Sequence, residues 1–369
     1  MDKNTFESTN FIGQARILLA PLDWGLGHAT RCIPIICGLI EQGHTVLIAA
    51  EGPTKKLLEQ EFPNIEYLPL KGYKVKYAKR KSTLAFSILR QIPKIIGIII
   101  FENNWLNRII ENKKIDIVIS DNRFGLYNKN AHCVFITHQL LIKTPFLQGL
   151  LQKLNYRFIN KFNECWVPDF YDEPSLADRL SHPKKMPSIP VRDLGLLSRF
   201  KKPKEVELQH ILILLSGPEP QRTILEQKIL KQLNFFPKPV LIVRGLPDSG
   251  SVLEVQKNVK YVNHLAAKQL EEAIHSSFFV IARCGYSTVM DLIKLQKKTI
   301  LIPTPGQTEQ EYLAKHLFTR KMAFCAKQES FDLKKALDTA KTFQYSFLDR
   351  NDATLLHEAL AFKNFDKLL

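Results

Sequence analysis

Two stretches late in the chain carry residue types that bind phosphorylated and polyhydroxylated ligands. Pro303–Leu317 reads PTPGQTEQEYLAKHL, and Arg283–Asp291 reads RCGYSTVMD. In each, an apolar run gives way to a turn and then to a helical stretch that opens on polar residues. In RCGYSTVMD, Gly285 makes the turn and the amides of Tyr286, Ser287 and Thr288 fall at the helix N-terminus. Unpaired N–H groups and the positive dipole end there suit a diphosphate. Asp291 follows one turn later, where a carboxylate can accept both hydroxyls of a ribose. In the other stretch Gln307, Glu309, Gln310 and Glu311 supply donors and acceptors at fixed positions, as sugar hydroxyls require. A plain structural reading competes with both: Thr288 and Asp291, like Thr308 and Glu311, have capping-box spacing.

A third loop, Leu22–Arg31 (LDWGLGHATR), lies near the other end of the chain. Gly25 and Gly27 permit close approach of a ligand to the main chain. His28 follows directly, and an imidazole with a pKa of about 6.5 suits proton removal from a hydroxyl near neutrality. The carboxylates Asp23 and Asp121 could serve the same purpose, and His28 could instead merely position the loop. GLGHAT falls short of GxGxxG because Thr30 stands at the third glycine. Yet Glu51 closes the second apolar run, where a dinucleotide enzyme keeps its ribose-binding acid. A nicotinamide-dependent oxidoreductase is therefore a rival reading.

The elements that must position these loops alternate along the chain. Apolar runs at Arg16–Pro21, Thr45–Ala50, Ile115–Ser120, Cys133–Thr137 and Glu164–Val167 are separated by helical stretches. The alternation restarts at His210–Ser216 and continues through Pro239–Arg244, Val259–Val262, Phe278–Ala282 and Thr299–Pro303. Continuous apolar runs between helices predict parallel sheets covered on both faces. A proline- and lysine-rich zone from Pro183 to Lys204 interrupts the pattern. The expectation is an α/β chain of two doubly wound domains, residues 1–195 and 209–369, joined by a linker at 196–208. Ligands bind such sheets at the carboxyl ends of the strands, here in the cleft between domains. The last helical stretch, Ala353–Leu369, is expected to pack back on the first domain.

A chain of 369 residues accommodates two such domains. Its six cysteines are scattered without a CxxC pair, against a zinc site or a disulfide framework. With no apolar leader at the start, a cytoplasmic location is expected. The net charge of +16 calls for an anionic partner, and no nucleic-acid recognition module is evident. Six of the eleven residues Lys71–Lys81 are basic. The apolar stretch after them, Leu84–Phe101, is broken by Arg90, Pro93 and Lys94, short of the roughly 20 apolar residues a spanning helix needs. This pairing suits a protein resting on an anionic bilayer, at the inner face of the cytoplasmic membrane. A buried core helix is the alternative.

The sequence resembles the family-28-like glycosyltransferases of the GT-B fold, whose best-known member is the bacterial peptidoglycan N-acetylglucosaminyltransferase. The likeness is strongest over Val259–Leu317 and moderate over Arg16–Ala50. It implies two domains facing across a cleft, with a UDP-sugar donor (UDP-N-acetylglucosamine among the candidates) held by the C-terminal one. The N-terminal one would hold a lipid-linked or other cell-envelope acceptor. Position by position, it implies Tyr261 and Val262 at the uracil, and Tyr286, Ser287 and Thr288 at the phosphates. Asp291 would take the ribose, and Gln310 and Glu311 the sugar. Gly217, in Ser216–Arg222 (SGPEPQR), replaces a second glycine loop. Pro218 and Pro220 lack N–H groups, which leaves Arg222 to supply charge. Facing the acceptor would be Gly25, Gly27, His28, Asp121 and, from ITHQL, His138 and Gln139. The resemblance implies inverting transfer without metal or further cofactor, the departing UDP being stabilised by helix-terminal amides. A UDP-sugar 2-epimerase and a catalytically silent UDP-sugar-binding protein remain alternatives.

Overall fold

The computed structural model describes residues 14–73, 91–144, 148–202, 206–233, 236–246, 258–350 and 353–362. The first domain runs β1 (Arg16–Pro21), α1 (Leu26–Glu41), β2 (Thr45–Ala49), α2 (Gly52–Glu61), β3 (Glu66–Leu68), α3 (Ile92–Lys113) and β4 (Ile117–Asp121). It continues with β5 (His132–Ile136), α4 (Gln148–Ile159), β6 (Glu164–Val167) and β7 (Val191–Asp193). The second domain opens with β8 (His210–Leu214), α5 (Gln221–Leu233), β9 (Val240–Val243), β10 (Val259–Val262), α6 (Ala267–His275) and β11 (Ser277–Arg283). It closes with α7 (Tyr286–Lys294), β12 (Thr299–Ile302), α8 (Thr308–Thr319), β13 (Phe324–Cys325), α9 (Leu333–Thr342) and α10 (Ala353–Leu360).

The first sheet has seven strands in the order β3-β2-β1-β4-β5-β6-β7, and the second has six in the order β10-β9-β8-β11-β12-β13. Every strand pair is parallel. The central strands carry unbroken aliphatic runs because both sheet faces are covered; Ile17, Leu18, Leu19 and Ala20 of β1 are all inaccessible. Strand order reverses between β1 and β4 and between β8 and β11. At each reversal the following connections leave in opposite directions and open a crevice at the carboxyl ends. Those two crevices hold the loops singled out in the sequence.

Three short strands, β3, β7 and β13, lie outside the expected set, and β7 falls inside the proline- and lysine-rich zone. The connection that follows it is packed: Leu197 and Phe200 are buried. One hydrophobic cluster passes from Ile36 and Trp166 in the first domain to Met290 and Leu317 in the second. Helix α10 crosses back to α1, with Leu360 buried and Phe362 stacked on Trp166 at 5.7 Å.

Helix α3 begins at Ile92 with Pro93 in its first turn, where the missing N–H costs nothing. Among the described residues no helix is long and apolar enough to cross a membrane. The expected basic segment from Lys74 to Lys81, with the residues through Arg90, lies outside the described residues.

Candidate active site

Helix α1 starts at Leu26 on the left-handed Gly25 (φ 85°), and α7 starts on Gly285; neither start has a side-chain cap. The first N–H groups of both helices are therefore left for a ligand. The two starts face each other across the domains. Ser287 donates its hydroxyl to the Gly27 carbonyl at 2.9 Å, and Tyr286 donates its hydroxyl to the Pro168 carbonyl at 2.7 Å. A Cβ at Gly27 would lie 2.9 Å from Ser287 Oγ and 3.3 Å from its Cβ, so a side chain there would force Ser287 to shift. Two helix dipoles thus present their positive ends to one space.

His28 sits in the first turn of α1, its side chain 15% exposed, with Nδ1 2.9 Å from Asp121 Oδ2 at the end of β4. Arg31, one turn on, grips the same carboxylate: Nε donates to Oδ2 at 3.0 Å and Nη2 to Oδ1. Both Arg31 and Asp121 are almost wholly buried, and a buried pair of this kind holds only while both partners are present. Burial would raise the Asp121 carboxyl, but Arg31 and His28 outweigh it and hold it far below the carboxylate range. Burial, reinforced by Arg31, pushes His28 below its ordinary value against the opposing pull of Asp121. The imidazole is neutral at pH 7. Its Nδ1 lies 2.9 Å from both Asp121 Oδ2 and Arg31 Nη2, and Nε2 has no partner among the described residues.

The same cluster continues across the cleft. Arg31 Nη1 lies 3.1 Å from His138 Nδ1, and His138 Nε2 lies 2.7 Å from Glu309 Oε1 on α8. Tyr286 stacks on the His138 ring at 4.1 Å and 7°. Burial raises the Glu309 carboxyl, yet His138 and Arg31 bring it below the usual range. Gln139 spends its amide N–H on Thr137 Oγ1 beside this cluster.

The structure brings together Gly25, Gly27, His28, Asp121, His138, Gly285, Tyr286 and Ser287. Thr288, in the same first turn of α7, is half-buried. Gly217 (φ 97°) lies over Arg283 at the second crevice. Asp291 is half-buried on α7; burial lifts its carboxyl to about 7, opposed by Ser198, Arg199 and Lys294.

Other assignments need correcting. Arg222 is buried and its guanidinium is already engaged by Glu219, Glu226, Thr223 and the Arg244 carbonyl, so its charge is neutralised within the domain. The buried cation at this crevice is Arg283, which sequence reasoning passed over. It donates to the carbonyls of Gln221, Ile302 and Pro303, its Nε is unpartnered, and it faces no carboxylate among the described residues. Burial lowers its pKa to about 10. Tyr261 packs into the domain core, and the Val262 carbonyl accepts from Arg244 N. Neither group is thereby turned to a base.

The two capping boxes do not form. Thr308 is the first residue of α8, and its hydroxyl reaches across to the Lys143 carbonyl at 2.8 Å. Gln310 and Glu311 brace their own loop, accepting from the amides of Thr304 and Gly306 at 2.9 Å each. Glu51 accepts from Gly72 N at 2.8 Å, a loop contact rather than a ribose site. Arg31 is the other site residue not singled out beforehand, and Glu309 was singled out for sugar hydroxyls rather than as the partner of His138. Arg31 was legible in principle, since residues three apart share a helix face. The pairing of Glu309 with His138 was not, because the two lie in different domains.

Two facing doubly wound parallel-sheet domains with the site between them define the GT-B architecture. Solved structures share it at low identity. The glycosyltransferase SnogD from Streptomyces nogalater superposes with a TM-score of 0.60 at 13% identity, covering 96% of each chain. UGT89C1 from Arabidopsis thaliana, solved with UDP-L-rhamnose, gives 0.62 at 10% identity over 97% of this chain and 98% of that one. Residues 222–364 match the glycosyltransferase family 28 C-terminal domain. Two relatives described as uncharacterized glycosyltransferases, from Methanosarcina acetivorans and Methanosarcina mazei, are 24% and 23% identical, each alignment covering 78% of this chain and 79% of the relative. Residues 222–364 thus match the family 28 C-terminal domain, the chain is similar to glycosyltransferases along most of its length, and the oxidoreductase reading is set aside.

Proposed function

We propose that the enzyme transfers a sugar from a UDP-sugar, with inversion and without metal, to a hydroxyl of a lipid-linked or other envelope acceptor. The observation that carries this reading is the placement of His28, hydrogen-bonded to Asp121, opposite the uncapped start of α7. His28 Nε2 takes the proton of the acceptor hydroxyl as the oxygen attacks the anomeric carbon. Asp121 holds the ring in the tautomer that leaves Nε2 basic and stabilises the imidazolium that forms. The bond to the diphosphate oxygen breaks on the opposite face of the sugar.

Charge that develops on the departing UDP meets the amides of Tyr286, Ser287 and Thr288, the dipole of α7, and the buried Arg283 behind them. Fixed dipoles aimed at developing charge perform the service that a cation performs elsewhere. Asp291 receives the ribose. Gln310 and Glu311, held by the bonds they make within their own loop, meet the sugar hydroxyls.

The start of α3 packs beside the loop after β1, with Ile95 and Ile98 against Leu22 and Tyr73. There Ile96 and Ile100 are 41% and 57% exposed beside Lys94, and Trp24 is 41% exposed on the loop after β1. Apolar side chains next to a cation suit a peripheral contact with an anionic bilayer, from which a lipid-linked acceptor would reach His28.

Thermal stabilisation by a panel of UDP-, GDP- and dTDP-sugars tests the donor. A ligand held at a hundred times its Kd stabilises by about 2.7 kcal/mol. UDP-sugars alone should raise the melting temperature; stabilisation only by another nucleotide would overturn the donor assignment.

A further inference from the structure

We propose that Glu309 is a positioning residue for the catalytic base, acting from the opposite domain through His138 and Arg31; this rests on the reading of His28 as the base. One placement of hydrogens on His138 satisfies both of its partners. With its proton on Nε2, His138 donates to Glu309 Oε1 at 2.7 Å, and its Nδ1 accepts from Arg31 Nη1 at 3.1 Å. Arg31 then directs Nε and Nη2 to Asp121, whose Oδ2 lies 2.9 Å from His28 Nδ1, and Nη2 lies 2.9 Å from that same Nδ1. The other His138 tautomer would set an N–H against a guanidinium N–H and leave Glu309 facing a lone pair. Glu309 therefore selects the His138 tautomer that accepts from Arg31, and so steadies the guanidinium that lies against both Asp121 and His28 Nδ1. Tyr286, stacked on His138 and tied to the Pro168 carbonyl, confines the ring to that plane.

Glu309 and Tyr286 belong to the second domain; His28, Arg31, Asp121 and His138 belong to the first. The chain is complete only while the domains are closed, so closure that engages a donor also sets the base. The groups that bear on His28 are Arg31 and Cys32 on its own helix, Asp121 on β4 and His138 after β5. The second domain adds Glu309 and Tyr286. The carboxylate added by closure favours the imidazolium, so its removal should lower the pH at which His28 takes a proton.

The test is kcat, donor KM and the acid limb of the pH profile, read as UDP release from UDP-N-acetylglucosamine. Glu309→Ala should lower kcat about ten- to hundredfold with little change in donor KM, and move the acid limb to lower pH. Glu309→Gln, which still accepts from His138 but carries no charge, should recover most of kcat while keeping the shifted limb. Melting temperatures near wild type exclude misfolding as the cause. A rise in donor KM with kcat and acid limb unmoved would place Glu309 on the sugar and overturn the proposal, as would wild-type kinetics. His28→Gln with wild-type kcat would instead remove the base assignment itself, and the proposal with it.

Discussion

Ser287 of the second domain donates its hydroxyl to the backbone carbonyl of Gly27 in the first, at 2.9 Å. That contact fixes the distance between two uncapped helix starts. Gly27 has no side chain to obstruct it, and its backbone lies outside the left-handed region. A side chain introduced there is unstrained in itself and acts only as a wedge.

Gly27→Val should accordingly hold the domains apart. The expected outcome is a larger radius of gyration by small-angle scattering and a fall in kcat of about a hundredfold, the cost of a roughly 1 Å misplacement. An unchanged radius with unchanged kcat would show that the contact does not govern the cleft.

Burial and Arg31 hold His28 below its ordinary value. A base must be unprotonated, so activity should rise with pH through a pKa below 6.5 and be level at pH 7. The kcat profile at saturating donor reads this directly. An acid limb centred above 6.5 would mean that the cluster stabilises the imidazolium more than burial opposes it.

The alternation of strands and helices was legible because the central strands are apolar throughout; Glu164–Val167 and Val259–Val262 match to the residue. Edge strands were not. Val191–Asp193 alternates between half-buried and exposed residues and pairs on one side only, so it carries no apolar run to read. The turn glycines and His28 were legible from local chemistry. Partnerships across the cleft were not, because the His138–Glu309 contact spans 171 positions and depends on domain closure. Arg222 misled for a related reason: a basic residue beside a loop does not disclose that Glu226, one turn later, already neutralises it.

Burial lifts the Asp291 carboxyl to about 7. If Asp291 holds the ribose as proposed, its ionised form is the one that accepts both hydroxyls, so donor affinity should increase as pH rises through neutrality. Calorimetric titration with UDP-N-acetylglucosamine, whose diphosphate does not titrate in this range, should show up to about tenfold tighter binding at pH 8 than at pH 6. Asp291→Asn should remove that dependence. A variant with the wild-type pH dependence would place the ribose elsewhere.

Ile96 and Ile100 are exposed, so replacing both with Asp should spare the fold. Burying one aliphatic side chain contributes about 1.5–3 kcal/mol, and losing two should reduce co-sedimentation with phosphatidylglycerol vesicles by at least about tenfold. Undiminished sedimentation would show that this face does not meet the bilayer.

The most direct measurement is UDP release from UDP-N-acetylglucosamine in the presence of EDTA, comparing the wild-type enzyme with His28→Gln. His28→Gln is preferable to a change at Asp121, since losing that carboxylate would strand the buried Arg31 at a cost of about 3–5 kcal/mol. The account predicts full wild-type turnover in EDTA and a variant slowed by about 10²–10⁴-fold that still binds donor normally. A strict requirement for a divalent ion, or a His28→Gln enzyme as fast as wild type, would contradict it.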